Sequence, residues 1–406
     1  MKKFFALTLV LALIVVGCKK EPETKDSIKL NTETWTASYE GETVNITVTA
    51  SGDFTAKPDV DWITVSGSAV TVAPNPNYEA RTGNVTFTCG EATAKLAVTQ
   101  EAAPKPKEYT ELAGPANSYI VSAAGDYKIK ATVMGEGDAG LHSTFPITST
   151  AINPAGATLV WEEVEGLISD VQLKDGYLCF TCANKDGNAV VAATAADGTI
   201  LWSWLIWATP EVSTYNLEGY TSFMDRNLGA IDVGYCMRGF LYDWGRKDAF
   251  SAANGGYDVY PYVPVASSVF THSTGPSTMA YAVAHHTDYV IGPSSYYTWM
   301  ENTECAAKPW RTDVKTIYDP CPAGWRIPIK DEISNIGGLP ATGLTEGYDA
   351  GYYYKGFGNP GTGYYWTSST DEGGDQRAYA FCNDGRNINH WGQDQGYAIR
   401  PVLLQD

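Results

Sequence analysis

Between residues 28 and 102 apolar and polar side chains alternate. Val44, Ile46 and Val48 fall on one side of an extended chain, and Thr43, Asn45, Thr47 and Thr49 on the other. Val85, Phe87 and Cys89 repeat the pattern, as do Leu96 and Val98. A two-residue period belongs to strands with one face in a core and one in water, so residues 28–102 predict an antiparallel β-sandwich. Residues 103–108 begin Ala103-Pro104-Lys105-Pro106-Lys107, and proline favours an extended spacer, so they read as a linker. In 109–209 strands are expected at 119–121, 128–133, 158–161, 177–181, 189–194 and 200–207, with Asp197-Gly198 turning between the last two. In 200–207 Trp202, Trp204 and Ile206 alternate against Leu201, Ser203, Leu205 and Trp207. Both faces are apolar, so this strand is expected to be covered on both sides, one of them by the region C-terminal to it. Residues 210–406 carry long glycine- and tyrosine-rich loops with only short periodic runs.

The expected fold class is therefore mostly β: two tandem Ig-like sandwiches followed by a loop-rich region. Composition agrees, with 18% charged residues, 26 Tyr, 12 Trp and 40 Gly in 406 residues. Formal charge is −18. So acidic a chain repels nucleic acid and anionic headgroups, and suits a neutral glycan or a protein as partner.

The N-terminus has its own pattern. Lys2 and Lys3 precede an apolar run from Phe4 to Val16, too short to span a bilayer, and Val15-Val16-Gly17-Cys18 resembles a lipobox. The resemblance implies a lipoprotein signal peptide over residues 1–18, acylation of Cys18, and an outer-membrane, surface-exposed location. Residues 19–27 then form a short polar tether, in which Asp26-Ser27-Ile28 resembles an O-glycan acceptor triplet. Losing Lys2 and Lys3 takes the charge to −20.

Two further resemblances cover most of the remainder. Gly41-Glu42-Thr43-Val44, Asp61-Trp62-Ile63-Thr64-Val65, the stretch from Asn77 to Arg81-Thr82-Gly83, and Val98-Thr99-Gln100 resemble the BACON domain. That family implies a spacer or a weak carbohydrate binder; Trp62, flanked by Val60 and Ile63, reads as core rather than as a sugar platform. In 210–406, five blocks resemble the FISUMP major paralogous family in order. They are Met224-Asp225-Arg226-Asn227-Leu228-Gly229-Ala230, Tyr242-Asp243-Trp244-Gly245-Arg246, the run from Asp319-Pro320-Cys321 to Ile327-Pro328, Tyr365-Trp366-Thr367-Ser368-Ser369, and Ala398-Ile399-Arg400-Pro401-Val402. The resemblance implies an α+β C-type-lectin-like domain. Pro401 stands where many relatives have cysteine, which leaves Cys305 as the implied partner of Cys321.

Such a fold displays loops, and the chemistry expected of them is binding. A sugar offers an apolar face and a rim of hydroxyls, which suit an aromatic ring beside amides and carboxylates. Trp391, Asn383, Asp384, Asn389, Asp394, Tyr364 and Tyr365 supply that mixture, whereas Trp366 reads as core. Calcium can use such oxygen-rich loops, but the paired-acid and Trp-Asn-Asp signals of true C-type lectins are missing, so no metal or other cofactor is expected.

No catalytic residues are expected either. His285 and His286 sit in a polar loop without a zinc-hydrolase pattern. Gly135-Glu136-Gly137-Asp138-Ala139-Gly140 matches a dinucleotide fingerprint by letters only, since it opens no helix and its acids repel a pyrophosphate. Cys179-x-x-Cys182 lacks further zinc ligands, so its thiols read as small core hydrophobes. Adhesion, or capture of glycans or proteins, is the expected function. A fimbrillin-like structural or accessory subunit is the alternative, and a glycan hydrolase a third reading.

Overall fold

The computed structural model describes residues 25–216, 218–232, 239–250, 271–293, 297–334, 352–354, 357–359, 364–371, 376–382 and 387–405. Cys18, the lipobox and most of the tether lie outside them, as do Asn383 and Asp384. The chain forms two compact units, residues 1–107 and 108–406, and is built mostly of strands with three short α-helices and one 3-10 turn, Gly137–Gly140, among the described residues. Among those residues no helix is long and apolar enough to cross a membrane.

The first unit is a sandwich. Arg81–Cys89 and Ala92–Gln100 pair antiparallel through nine consecutive positions, flanked by Thr55–Pro58 and by Thr34–Ala37, the latter running parallel to Ala92–Gln100. Glu42–Asn45, Ala69–Val72 and Ile63–Ser66 form the facing sheet. Val85, Phe87, Leu96 and Val98 are fully buried, on the face their alternation assigns.

The alternation expected through 43–49 holds in burial, with Val44, Ile46 and Val48 covered and Thr43, Asn45, Thr47 and Thr49 exposed, but the strand itself is interrupted. At Ile46 the chain leaves one sheet and enters another, and Val48–Ala50 pairs with Ile28–Leu30. The Ile46 amide donates to Ser68 O (2.9 Å), and the Thr47 amide to Asn31 Oδ1 (2.9 Å), so the crossing keeps its backbone groups satisfied.

The second unit begins with another pair of four-stranded sheets. One contains Gly125–Lys130, Tyr177–Cys182 and Ile168–Lys174; the other runs Ser118–Val121, Ile200–Ala208, Gly187–Thr194, Gly156–Glu162. The strand expected at 128–133 lies three residues earlier, because Thr132 and Met134 pair instead with the 150–152 segment. Ile168–Lys174 escaped the pattern altogether. Asp170 takes φ 52° and the register shifts between Ser169 and Gln172, so a bulge breaks the alternation.

Ile200–Ala208 is buried on both faces. The indole of Trp202 donates to Asn117 Oδ1 (2.9 Å), and Asn117 Nδ2 donates to the carbonyls of Ile317 (2.7 Å) and Asp319 (2.8 Å). Trp207 reaches Ala230 O (3.0 Å). Residues 109–209 and the region after them therefore share one continuous core, from Ala116 and Tyr119 to Tyr397 and Ile399.

The glycine-rich stretch at 135–140 is part of that junction. A Cβ on Gly135 would stand 2.2 Å from Ile317 O, and one on Gly140 2.7 Å from Ile317 N, while Ile317 N donates to Gly140 O (3.1 Å). The missing side chains admit another backbone rather than a phosphate.

The five C-terminal blocks converge on the same core. Trp366 Nε1 donates to Tyr242 O (2.7 Å), Trp244 Nε1 to Thr367 O (2.9 Å) and Trp299 Nε1 to Trp244 O (2.9 Å). Arg400, 1% exposed, bonds Asn227 Oδ1 through Nε (2.8 Å). Buried indoles and guanidinia thus supply donors to carbonyls in turns and in short or bulged strands.

The pairing of Cys305 with Cys321 is corrected. Both are free and buried, and Cys305 Sγ faces Gln393 Oε1 at 3.3 Å. Cys179 and Cys182 are likewise free and buried, and their three-residue separation puts them on opposite faces of their strand.

Candidate functional site

Three of the residues expected to bind share one strand-built surface. Tyr364–Thr370, Arg377–Cys382 and Asn387–Gly392 form an antiparallel sheet with Arg377–Cys382 at its centre. Register pairs Ala378 with Trp391, Ala380 with both Asn389 and Trp366, and Cys382 with Tyr364. Paired residues point the same way, so Tyr364, Trp366, Asn389 and Trp391 project from one face.

Trp366 is fully buried there, whereas Tyr364 and Trp391 are half-buried and Asn389 is exposed. Tyr364 stacks on Tyr397 (centroids 4.8 Å apart, planes at 17°) and meets Trp391 edge-on at 5.2 Å. The Trp391 indole N–H has no hydrogen-bond partner among the described residues. That N–H is itself buried, so what the patch offers is the accessible part of the Tyr364 and Trp391 rings beside an exposed amide, a combination chemically suited to a hydroxyl-bearing apolar ring.

Two candidates leave this patch. Tyr365 is 1% exposed because alternation turns it to the opposite face, where it packs with Phe381 and Ile388. Asp394 sits in the turn after Asn387–Gly392 with its carboxylate tucked against the backbone. A Cβ on Gly392 would lie 2.6 Å from Asp394 Oδ1, and one on Gly292 3.2 Å from Oδ2. Asn383 and Asp384 belong to the connection 383–386, outside the described residues.

The histidines are also placed. His285 caps the helix Met279–Ala284 and stacks on Tyr281 at 4.0 Å. His286, expected in a polar loop, is 5% exposed, and burial pulls its pKa down from 6.5 to about 4. It lies near Lys247, Asp248 and Arg246. Lys247 Nζ donates to Ser203 Oγ (2.6 Å) and Asp248 Oδ1 (2.5 Å), and burial lowers its pKa. This Ser-Lys-Asp contact is enclosed in the core. Among the described residues no three His, Cys, Asp or Glu side chains gather as a metal site.

Sequence reasoning missed a polar cleft of about 510 Å³ formed by Lys308, residues 310–313, 329–331 and 368–371, and Tyr379. Its parts are far apart in sequence and lack a period, so no local signal unites them.

In the first unit Trp62 is half-buried, with the Arg81 guanidinium over its ring at 4.4 Å. Gly83 lets it close up, since a Cβ there would meet Trp62 at 3.1 Å and Val60 at 2.5 Å. Gln100 is fully buried and bonds Ser38 O (2.9 Å), Ala73 O (2.9 Å) and Arg81 Nε (2.8 Å).

Comparison with known proteins adds to this geometry. Residues 52–101 match the family model described as "BACON: Putative binding domain, N-terminal", which covers part of the first unit. Among solved structures, the chain is similar to a Bacteroides ovatus GH5 xyloglucanase in complex with a XXXG heptasaccharide, at 20% identity over 22% of this chain and TM-score 0.19. The chain spans only 22% of the length of that enzyme. Proteins from Bacteroides thetaiotaomicron and Bacteroides vulgatus are similar at 16% and 22% identity, over 21% and 20% of this chain and 96% and 95% of theirs, with TM-scores of 0.17 and 0.16. Among curated proteins none matches.

Proposed function

We propose that this chain is a lipid-anchored cell-envelope binding protein, facing outward from the outer membrane, that captures glycans or proteins through its second unit. The observation that carries the reading is the cluster of half-buried Tyr364 and Trp391 against Tyr397, beside exposed Asn389. The C-terminal region is taken as C-type-lectin-like on its five blocks, and it acts by binding, without turnover or a resident cofactor. The unit containing the BACON match acts as a spacer or a weak glycan binder. Trp62 argues for the spacer role, because Arg81 occupies one ring face and core residues pack against it. Anchoring rests on Cys18 and the apolar run before it.

A glycan and mucin array probed with the soluble form beginning at Lys19 tests the binding. Retention on defined glycans is expected, and retention on none contradicts the glycan reading. Mass spectrometry of the cell-made product is expected to show acylated Cys18; an unmodified, soluble product contradicts the anchor.

A further inference from the structure

The sheet that carries Trp391 has a second, different face. Tyr379 lies between Ala378 and Ala380 on the central strand, so alternation turns it away from Trp391, and there it lines the 510 Å³ cleft. A volume of this size falls within the range of small-molecule sites.

The cleft is held in shape from several sides. The register of Tyr364–Thr370 shifts between Trp366 and Thr370, freeing Ser368 N to bond Pro328 O (2.9 Å) and Ser369 Oγ to accept from Lys330 N (3.0 Å). A bulge of this kind re-aims side chains and ends pairing, as is common beside binding sites. On the opposite wall Lys308 takes φ 53° at the end of Asn302–Ala307, and Trp310 Nε1 is fixed to Tyr318 O (2.8 Å). Left-handed backbone at a non-glycine residue is strained and persists where its surroundings demand it.

Charge in the cleft is balanced. Arg311 grips Asp313 with two bonds, 2.8 Å from Nε and 3.0 Å from Nη2, and this holds the Asp313 carboxyl below the usual range. Lys330 Nζ lies 3.9 Å from the centre of the Tyr379 ring. With Lys308, Asp331 and Asp371 also on the lining, three cations face three carboxylates, so the field selects neither an anion nor a cation. What remains is a dense set of fixed donors and acceptors. Two adjacent hydroxyls can accept from a guanidinium and donate to a carboxylate together, which a singly charged group cannot do.

We propose that this cleft is a second saccharide site, taking the end of a neutral, diol-bearing oligosaccharide on the face opposite Trp391. It rests on the reading of the second unit as a glycan binder.

Calorimetric titration of the chain from Lys19 with cellohexaose, xylohexaose, mannohexaose and maltohexaose tests it. The parent is expected to bind at least one of these. The Trp391→Ala chain is expected to keep measurable binding, and adding Arg311→Ala with Asp313→Ala is expected to weaken that binding about tenfold or more. Arg311 is only partly buried and Asp313 exposed, so an unchanged melting curve is expected to accompany the loss. Binding abolished by Trp391→Ala alone, or residual binding indifferent to the cleft substitutions, overturns the cleft site and leaves the glycan reading standing. A parent that binds none of the four overturns the cleft site, while the glycan reading is decided by the array.

Discussion

The two units use the same strand pattern and close it differently. In the first, apolar side chains meet across a sandwich, and amides tie its end: Gln100 spans Ser38, Ala73 and Arg81, while Asn75 Nδ2 reaches Glu79 O and Glu101 O, both at 2.9 Å. In the second, indoles and charged groups go inside. Trp244, Trp299, Trp310 and Trp366 donate to backbone carbonyls, and Arg246, Lys247, Asp248 and Arg400 are buried. The difference follows from the backbone each must satisfy. Long regular strands pair their own carbonyls, whereas turns and short or bulged strands leave carbonyls that side chains must meet. A fold held by side chains can carry long loops, at the cost of strong sensitivity to single substitutions.

That contrast is sharpest for a buried tryptophan. Trp244→Ala is expected to destabilise the second unit by about 4 kcal/mol through cavity formation and an orphaned Thr367 carbonyl, leaving the first unit's melting unchanged. Differential scanning calorimetry resolves the two, and a joint shift of both transitions breaks the comparison. Lys247→Ala removes the donor from buried Asp248 and Ser203, an expected loss of about 3 kcal/mol in the second unit. Replacing Lys247 and Asp248 together by Met and Leu is expected to recover most of it. Denaturant titration measures both.

His286 makes the second unit acid-sensitive. In the unfolded chain it titrates near 6.5, but in the fold burial holds it neutral down to about 4. Its stabilisation is complete above 6.5 and is lost as pH falls towards 4, by up to about 3 kcal/mol over the interval. Arg246, Lys247 and His285 oppose its protonation, and Asp248 favours it. His286→Leu is expected to flatten the stability–pH slope between those values, and an unchanged slope contradicts the assignment. The smallest effect belongs to the first unit, where Gln100→Ala is expected to cost about 2 kcal/mol, since backbone pairing on both sides persists.

These differences also explain what could be read from the residues alone. Val85, Phe87, Leu96 and Val98 announce their strands because one face is wet and the other dry, and the doubly apolar run at 200–207 announced a strand covered on both sides. The pattern failed where the backbone departs from regular pairing at Asp170, where a bulge shifts the register; at Ile46 the period persists in burial, but it does not announce that the chain changes sheets. At the candidate site, spacing alone joined Asn389 and Trp391, two residues apart on one strand, and the same rule excludes Tyr365 as the neighbour of Tyr364. The placement of Asp394 was hidden because its neighbours include Gly292, a hundred residues away in sequence. The cleft was hidden for a similar reason, since Arg311, Lys330 and Ser369 become neighbours only through the bulge and the loops it anchors.

Affinity electrophoresis of the parent and the Trp391→Ala chain, through gels containing each glycan that retains the parent, tests the central claim most directly. The parent is expected to be slowed, and the substitution to weaken retention while the melting curve of the second unit stays in place. Equal retention of both chains on every glycan contradicts a binding role for the Trp391 face.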